Sequence, residues 1–427
     1  MNVKNKLLWK ISNVCSLILA ASIVSVWCLV EARYDPNIGQ LTNKQQIDQY
    51  LQSKNIDPNK TIPTGIFIQS LMFTSSSNVN LTGYVWQRYK DDDRLIEEDD
   101  KCNIIFPEAV ESGSNVDLRV AYEKQIGQTL IVGCYFEVTL RQRFNYSKYP
   151  LDHKTVWVRM WNRKFNSDRI LVPDLSAYRA TREEDAFGYD REIVLSGWKI
   201  KETFFNYRDF DYDTNFGMGY KIPERGKPEL FFNIVIKRKF LNGFLIHVVP
   251  IIVVALLLYG ALMMMTEDIG MAQKFGLNTS ATISFCSGLF FILLLAQTQL
   301  RETFAGAGIV YIEYFHTLMY LAVLAVSINA YLFDCGGKSW LVRWIRYQNN
   351  ILPKVLFWPV VLSMWAIVTC FVLLPEEKIS QEQVFLQEAE ANCLSFCSLK
   401  VTSASQKTSH NSQKHSDSEK AHDLLQA

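Results

Sequence analysis

The sequence predicts an α+β membrane protein: an extracytoplasmic antiparallel β-sandwich followed by a four-helix transmembrane domain, with an extra hydrophobic helix at the N-terminus. Three observations predict it. Apolar runs of about 20 residues, the length that crosses a hydrocarbon layer about 30 Å thick, occur once near the N-terminus and four times after Phe240. The stretch between them carries short β-branched and aromatic segments separated by polar, glycine and proline turns. Basic residues cluster beside particular runs, which orients the chain.

The first run, Ile11 to Val30, follows Lys4, Lys6 and Lys10. Segment 1–33 is therefore a signal-anchor with a cytoplasmic N-terminus or a signal peptide. Its length favours the anchor, and Val30-Glu31-Ala32 would suit cleavage, so both readings stay open. Either way the following segment, 34–240, is exported.

Strands are predicted over Gly65–Phe73, Val79–Gln87, Val116–Tyr122, Gln128–Leu140, Lys154–Met160, Glu192–Thr203 and Leu230–Lys237. So many short strands within one exported segment predict a sandwich. One amphipathic helix is expected, at Asn43–Ser53. Of nine cysteines only Cys102 and Cys134 fall in this segment, as one disulfide or as two thiols.

Segment 241–374 holds four spans, Gly243–Met265, Phe275–Gln299, Ile309–Phe333 and Ile351–Leu374. Lys338, Arg343 and Arg346 between the last two place that linker in the cytoplasm, in agreement with the N-terminal lysines. Lys237, Arg238 and Lys239 then sit outside, against the rule, and call for facing carboxylates. The tail, 375–427, is rich in Ser, Gln, Lys and His and reads as disordered; Cys393 and Cys397 there suit neither a metal site nor a redox pair.

With 44 basic and 43 acidic residues and 49% hydrophobic content, the chain fits neither a nucleic-acid binder nor a disordered protein. Six histidines without paired metal spacing, no nucleophile elbow and no phosphate loop argue against an enzyme and imply no cofactor.

Several motifs in order carry a resemblance. Gly83-Tyr84-Val85-Trp86 leads through Tyr89 and Asp91–Asp93 to Arg94-Leu95; Phe106-Pro107-Glu108 follows; then Tyr149-Pro150-Leu151-Asp152, Gly197-Trp198-Lys199-Ile200, Phe232–Arg238 running into a span, and Pro250 inside that span. From Ile62 to Leu374 this order resembles pentameric ligand-gated ion channels, in the manner of a prokaryote-type member. Val156 stands where the second cysteine of the eukaryotic Cys-loop would be, and Lys154 replaces the usual glutamine. The N-terminal anchor and the long tail also depart from the family pattern.

The resemblance implies a homopentamer in a cell inner or plasma membrane, in contact with lipid and passing inorganic ions when a signal reaches the exported domain. It implies a ligand site between subunits, to which Trp86, Phe106, Trp161, Tyr207 and Tyr212 correspond, and a gating interface of Tyr149, Pro150, Asp152, Arg238 and Arg301, with Asp152 paired to Arg238. The residues themselves single out the second span, the one rich in hydroxyls: Ser280, Ser284, Ser287, Phe291 and Leu294 align at helical spacing, a polar half below an apolar constriction. Serines in such helices also serve close helix packing or bond to their own backbone. Charge selectivity stays open: Lys274 at the inner mouth favours anions, Glu267 and Asp268 favour cations, and Asn278 there leaves no charged ring. The agonist stays open too. A small cation held by the aromatic rings, calcium on Asp209, Asp211 and Asp213, and the proton are the candidates. A non-conducting membrane sensor with the same fold is the alternative function.

Overall fold

The computed structural model describes residues 3–32, 39–90, 102–110, 117–163, 169–179, 186–210, 212–215, 217, 227–267, 270, 279–335 and 339–374. The segment 91–95, Asp211, Asp268, Lys274, Asn278, Lys338 and the tail lie outside the described residues.

Helix α1 (Val3–Ala32) is followed by α2 (Lys44–Ser53), whose Asn43 cap accepts from the Gln46 N–H at 2.9 Å. Ile47 and Leu51, one turn apart on α2, are its buried side chains. Nine strands follow among the described residues: β1 (Thr61–Phe73), β2 (Asn78–Lys90), β3 (Ile104–Ile105), β4 (Asp117–Ile126), β5 (Thr129–Arg141), β6 (His153–Asn162), β7 (Ile170–Pro173), β8 (Trp198–Phe210) and β9 (Lys227–Arg238). They form a five-stranded sheet in the order β4-β5-β2-β1-β7 and a four-stranded sheet in the order β3-β6-β9-β8. Side chains alternate between full and partial burial along β2 and β6, as the period of two in a strand requires. Ile66, Leu81 and Phe136 of the first sheet share one apolar core with Val158, Phe232 and Ile234 of the second. Cys102 and Cys134 are joined as a disulfide.

Three expectations are corrected. Strand β8 begins at Trp198, not at Glu192, because Asp190 starts a turn: its carboxylate accepts from the Glu192 N–H at 2.9 Å, and Gly197 closes the segment at φ +79°. The short strands β3 and β7 carry too few residues to show a period. Strand β7 pairs with β1 in parallel, so the first sheet is not wholly antiparallel.

After β9 the chain turns apolar. Helix α3 (Phe240–Met264) contains a π turn over Phe244–Val248, just ahead of Pro250, whose missing N–H removes one rung of the ladder. Helices α4 (Thr279–Thr303), α5 (Tyr311–Cys335), α6 (Trp340–Arg346) and α7 (Ile351–Leu373) follow. Among the described residues five helices, α1, α3, α4, α5 and α7, are long and apolar enough to cross a membrane. They share a second core that includes Ile23, Leu258, Leu293, Met319 and Trp365. The short α6 was not expected from the sequence. Its seven residues hold only about two turns, too few for a period to show.

Helix α1 packs along α7. Ser12, buried, donates to the Val355 carbonyl at 2.6 Å. Near its other end Trp27 donates from Nε1 to the Tyr311 hydroxyl at 2.8 Å and lies against the rings of Phe240 and Phe244. Tyr311 in turn shares a 2.7 Å hydrogen bond with Thr369 of α7.

Candidate functional site

Asp152 immediately precedes strand β6, and β9 ends at Arg238, two residues before α3. Antiparallel pairing sets His153 opposite Lys237, which brings these two chain ends to one place. Arg238 donates from Nε to Asp152 Oδ1 at 2.6 Å and from Nη2 to Oδ2 at 3.3 Å, a forked pair. A second cation meets the same carboxylate: Lys154 Nζ lies 2.9 Å from Oδ2. Both Asp152 and Lys154 are buried. Burial alone would raise the Asp152 carboxyl, but Lys154 and Arg238 outweigh it and hold the group below the ordinary carboxylate range.

Aromatic rings wall the cluster. The Arg238 guanidinium sits 4.0 Å from the Trp198 ring centroid and 4.7 Å from that of Tyr149, while Lys154 Nζ sits 3.9 Å from that of Tyr146. Burial and the Asp152 charge push the Tyr146 hydroxyl up to about 12. Tyr146 and Tyr149 both pack on Phe304, in the connector between α4 and α5, at 4.9 and 4.6 Å. Pro150 presses against α3 at Gly243, where an added Cβ would stand 2.5 Å from the Pro150 Cβ. The Tyr311 N–H donates to the Ser147 carbonyl at 2.9 Å, and Ser76 Oγ to the Ala305 carbonyl at 2.8 Å. Loops of both sheets therefore grip α3 and the α4–α5 connector together.

The structure brings Tyr149, Pro150, Asp152 and Arg238 into one cluster and leaves Arg301 out of it. Arg301 reaches Glu313 of α5 at 3.0 Å, and Phe304 meets the turn instead. Lys154 is the member that sequence reasoning missed. Two of the three basic residues against the charge rule have carboxylate partners: Arg238 has Asp152, and Lys237 lies 2.8 Å from Glu31 of α1.

The five candidate ligand residues separate within one chain. Trp161 and Tyr212 meet edge to face at 5.9 Å, with the Arg159 guanidinium 5.2 Å from the Trp161 ring centroid. Arg159 pairs with Glu108 and, at 3.2 Å, with Glu229, to which Tyr212 donates at 2.6 Å. A cation of the chain itself thus already occupies this place, over the Trp161 ring and 3.3 Å from the Tyr212 hydroxyl. Phe106 is core, packed on Phe136. Trp86 belongs to the other sheet, flat over Gly65 and bonded to Asp174 at 3.0 Å. Tyr207 stacks on Tyr50 at 4.5 Å and donates to the Leu171 carbonyl. The expected calcium ligand Asp209 is taken by Lys54 and by the Tyr50 hydroxyl, which removes it from an alternating acidic set.

On α4, Thr282, Cys286, Leu289, Leu293 and Leu300 are buried, whereas Ser280, Ser284, Ser287, Phe291 and Leu294 are all exposed on the opposite side of the helix. Ser287 bonds to its own backbone at Ile283. No family model matches the chain, and no curated protein matches it.

Proposed function

We propose that the chain is the subunit of a homopentameric ligand-gated ion channel: a β-sandwich outside the membrane opens a pore lined by α4 within a four-helix transmembrane domain. The observation that carries this reading is the division of α4 into two faces. The apolar stripe through Leu289 and Leu293 is buried against the rest of the chain. The serine-bearing face opposite it is left uncovered within one chain, with Phe291 63% exposed, and its row of hydroxyls suits a water-filled path better than lipid. Copies of α4 around a symmetry axis supply it.

The junction cluster supports the coupling half of the proposal. Movement of β6 and β9 is passed to α3 through Arg238 and through the Pro150–Gly243 contact, and to the α4–α5 connector through Phe304. Current across a planar bilayer holding the purified protein tests the reading, with pH, calcium and small amines varied and Phe291→Ala alongside. A stimulated conductance altered by Phe291→Ala is expected. Silence under every condition from a protein of pentameric mass would overturn it in favour of a sensor.

A further inference from the structure

We propose that α6 and the start of α7 form a seat for an anionic phospholipid, with its phosphate at Arg343. The proposal rests on the apolar helices crossing a membrane and not on conduction. Helix α6 joins two such helices, so it lies at the membrane–water boundary; at about 1.5 Å per residue its seven residues are too short to cross. It buries Val342 and Ile345 and leaves Trp340 69%, Leu341 44% and Trp344 40% exposed. Large aromatic side chains left open at this depth match the headgroup zone, where an apolar ring and a polar edge are both satisfied.

The charges differ in a way that points to a ligand. Arg346 is paired with Glu267 at 3.2 Å, whereas Arg343 has no ion-pair partner among the described residues. Arg343 lines an open groove with Trp340, Trp344, Tyr347 and Leu352. From Leu352 the exposed apolar surface continues along α7 through Leu356 and Val360, one turn apart, a track for an acyl chain below the guanidinium. A cation above an apolar track fits a phospholipid of negative charge.

The ledge is fixed in place. Gln348, Asn349 and Asn350 all adopt positive φ, between 44° and 63°, which turns the chain sharply from α6 into α7. Asn349 bonds to Thr266 Oγ1 at 3.1 Å and accepts from the Glu267 N–H at 2.7 Å, and Lys354 donates to the Met265 carbonyl at 2.6 Å. These bonds tie the groove to the end of α3.

Photoactivatable phosphatidylglycerol and phosphatidylcholine, each used with the full-length protein in phosphatidylcholine vesicles, test the seat by crosslinking mapped to peptides spanning residues 340–360. Phosphatidylglycerol is expected to label these peptides in preference. Arg343→Gln should cut that preference about fivefold, the factor one basic side chain contributes near an anionic surface, and Arg343→Lys should keep it. Equal labelling by the two lipids, or an unchanged preference in Arg343→Gln, would overturn the proposal. Loss of the phosphatidylglycerol label in excess inorganic phosphate would overturn it as well, since a soluble anion would then be the occupant.

Discussion

Arg238 and Asp152 form a forked ion pair, 2.6 Å at its shorter arm, at the point where the last strand runs into the apolar helix α3. Lys154 makes the carboxylate the common partner of two cations, so the members of the cluster are not equivalent. Asp152→Asn leaves the buried Lys154 and the half-buried Arg238 with no full counter-charge and is expected to cost about 3–5 kcal/mol. Arg238→Gln leaves Lys154 on the carboxylate and should cost about half of that range. Thermal unfolding of the purified protein in detergent checks the order; equal losses would mean that Lys154 does not share the charge.

Gly243 is the second contact of the junction. Because its missing side chain lets the rigid Pro150 ring approach, Gly243→Ala must push the turn and the helix apart. A loss of about 1–3 kcal/mol is expected, the usual range for overpacking. Gly260, which has open space around it, is the control: Gly260→Ala should hold or raise stability within a helix, by up to about 1 kcal/mol.

The coarse order of strands and apolar helices was legible because period and length are local signals. The apolar runs and the alternation along β2 and β6 need only the chain itself. Lys154 shows both what was legible and what was overlooked. Asp152, just ahead of β6, and Lys154, Val156 and Val158 within it fall on the inward face at a period of two, so a lysine between an aspartate and two valines already required a carboxylate partner. Tyr207 and Phe106 were not legible in that way. Whether a strand aromatic lines a pocket or the core depends on what covers it, and Tyr50 and Phe136 come from distant parts of the chain. Helix α1 was read as an anchor or a signal peptide, and no local pattern marks Trp27 as the partner of Tyr311.

That contact gives a further expectation. Trp27→Phe keeps a ring against Phe240 and Phe244 but removes the N–H that the Tyr311 hydroxyl accepts, a loss of about 0.5–1.5 kcal/mol. Trp27→Ala removes the ring packing too and should cost more. Unfolding midpoints of the two variants, measured side by side in one detergent, separate the hydrogen bond from the packing. No change in either would show that α1 contributes nothing to the stability of the helices it touches.

His153 sets the response of the junction to acid. It follows Asp152 directly, and burial, followed by the nearby Lys201 and Lys237, lowers its imidazole from 6.5 to about 4, against the opposing charges of Asp152 and Glu31. Between these two values the unfolded chain binds a proton that the folded chain refuses, so stability falls as pH drops from 6.5 toward 4 and levels off below. Asp152 acts later: its lowered carboxyl takes its proton only below 3.8, and the stability it confers is lost there. Acid should therefore weaken the fold in two stages. His153→Gln, which cannot charge, is expected to shrink the first stage and leave the second. Unfolding midpoints followed from pH 7 downward in both proteins decide this, and a first stage of unchanged size in His153→Gln would assign it to other groups.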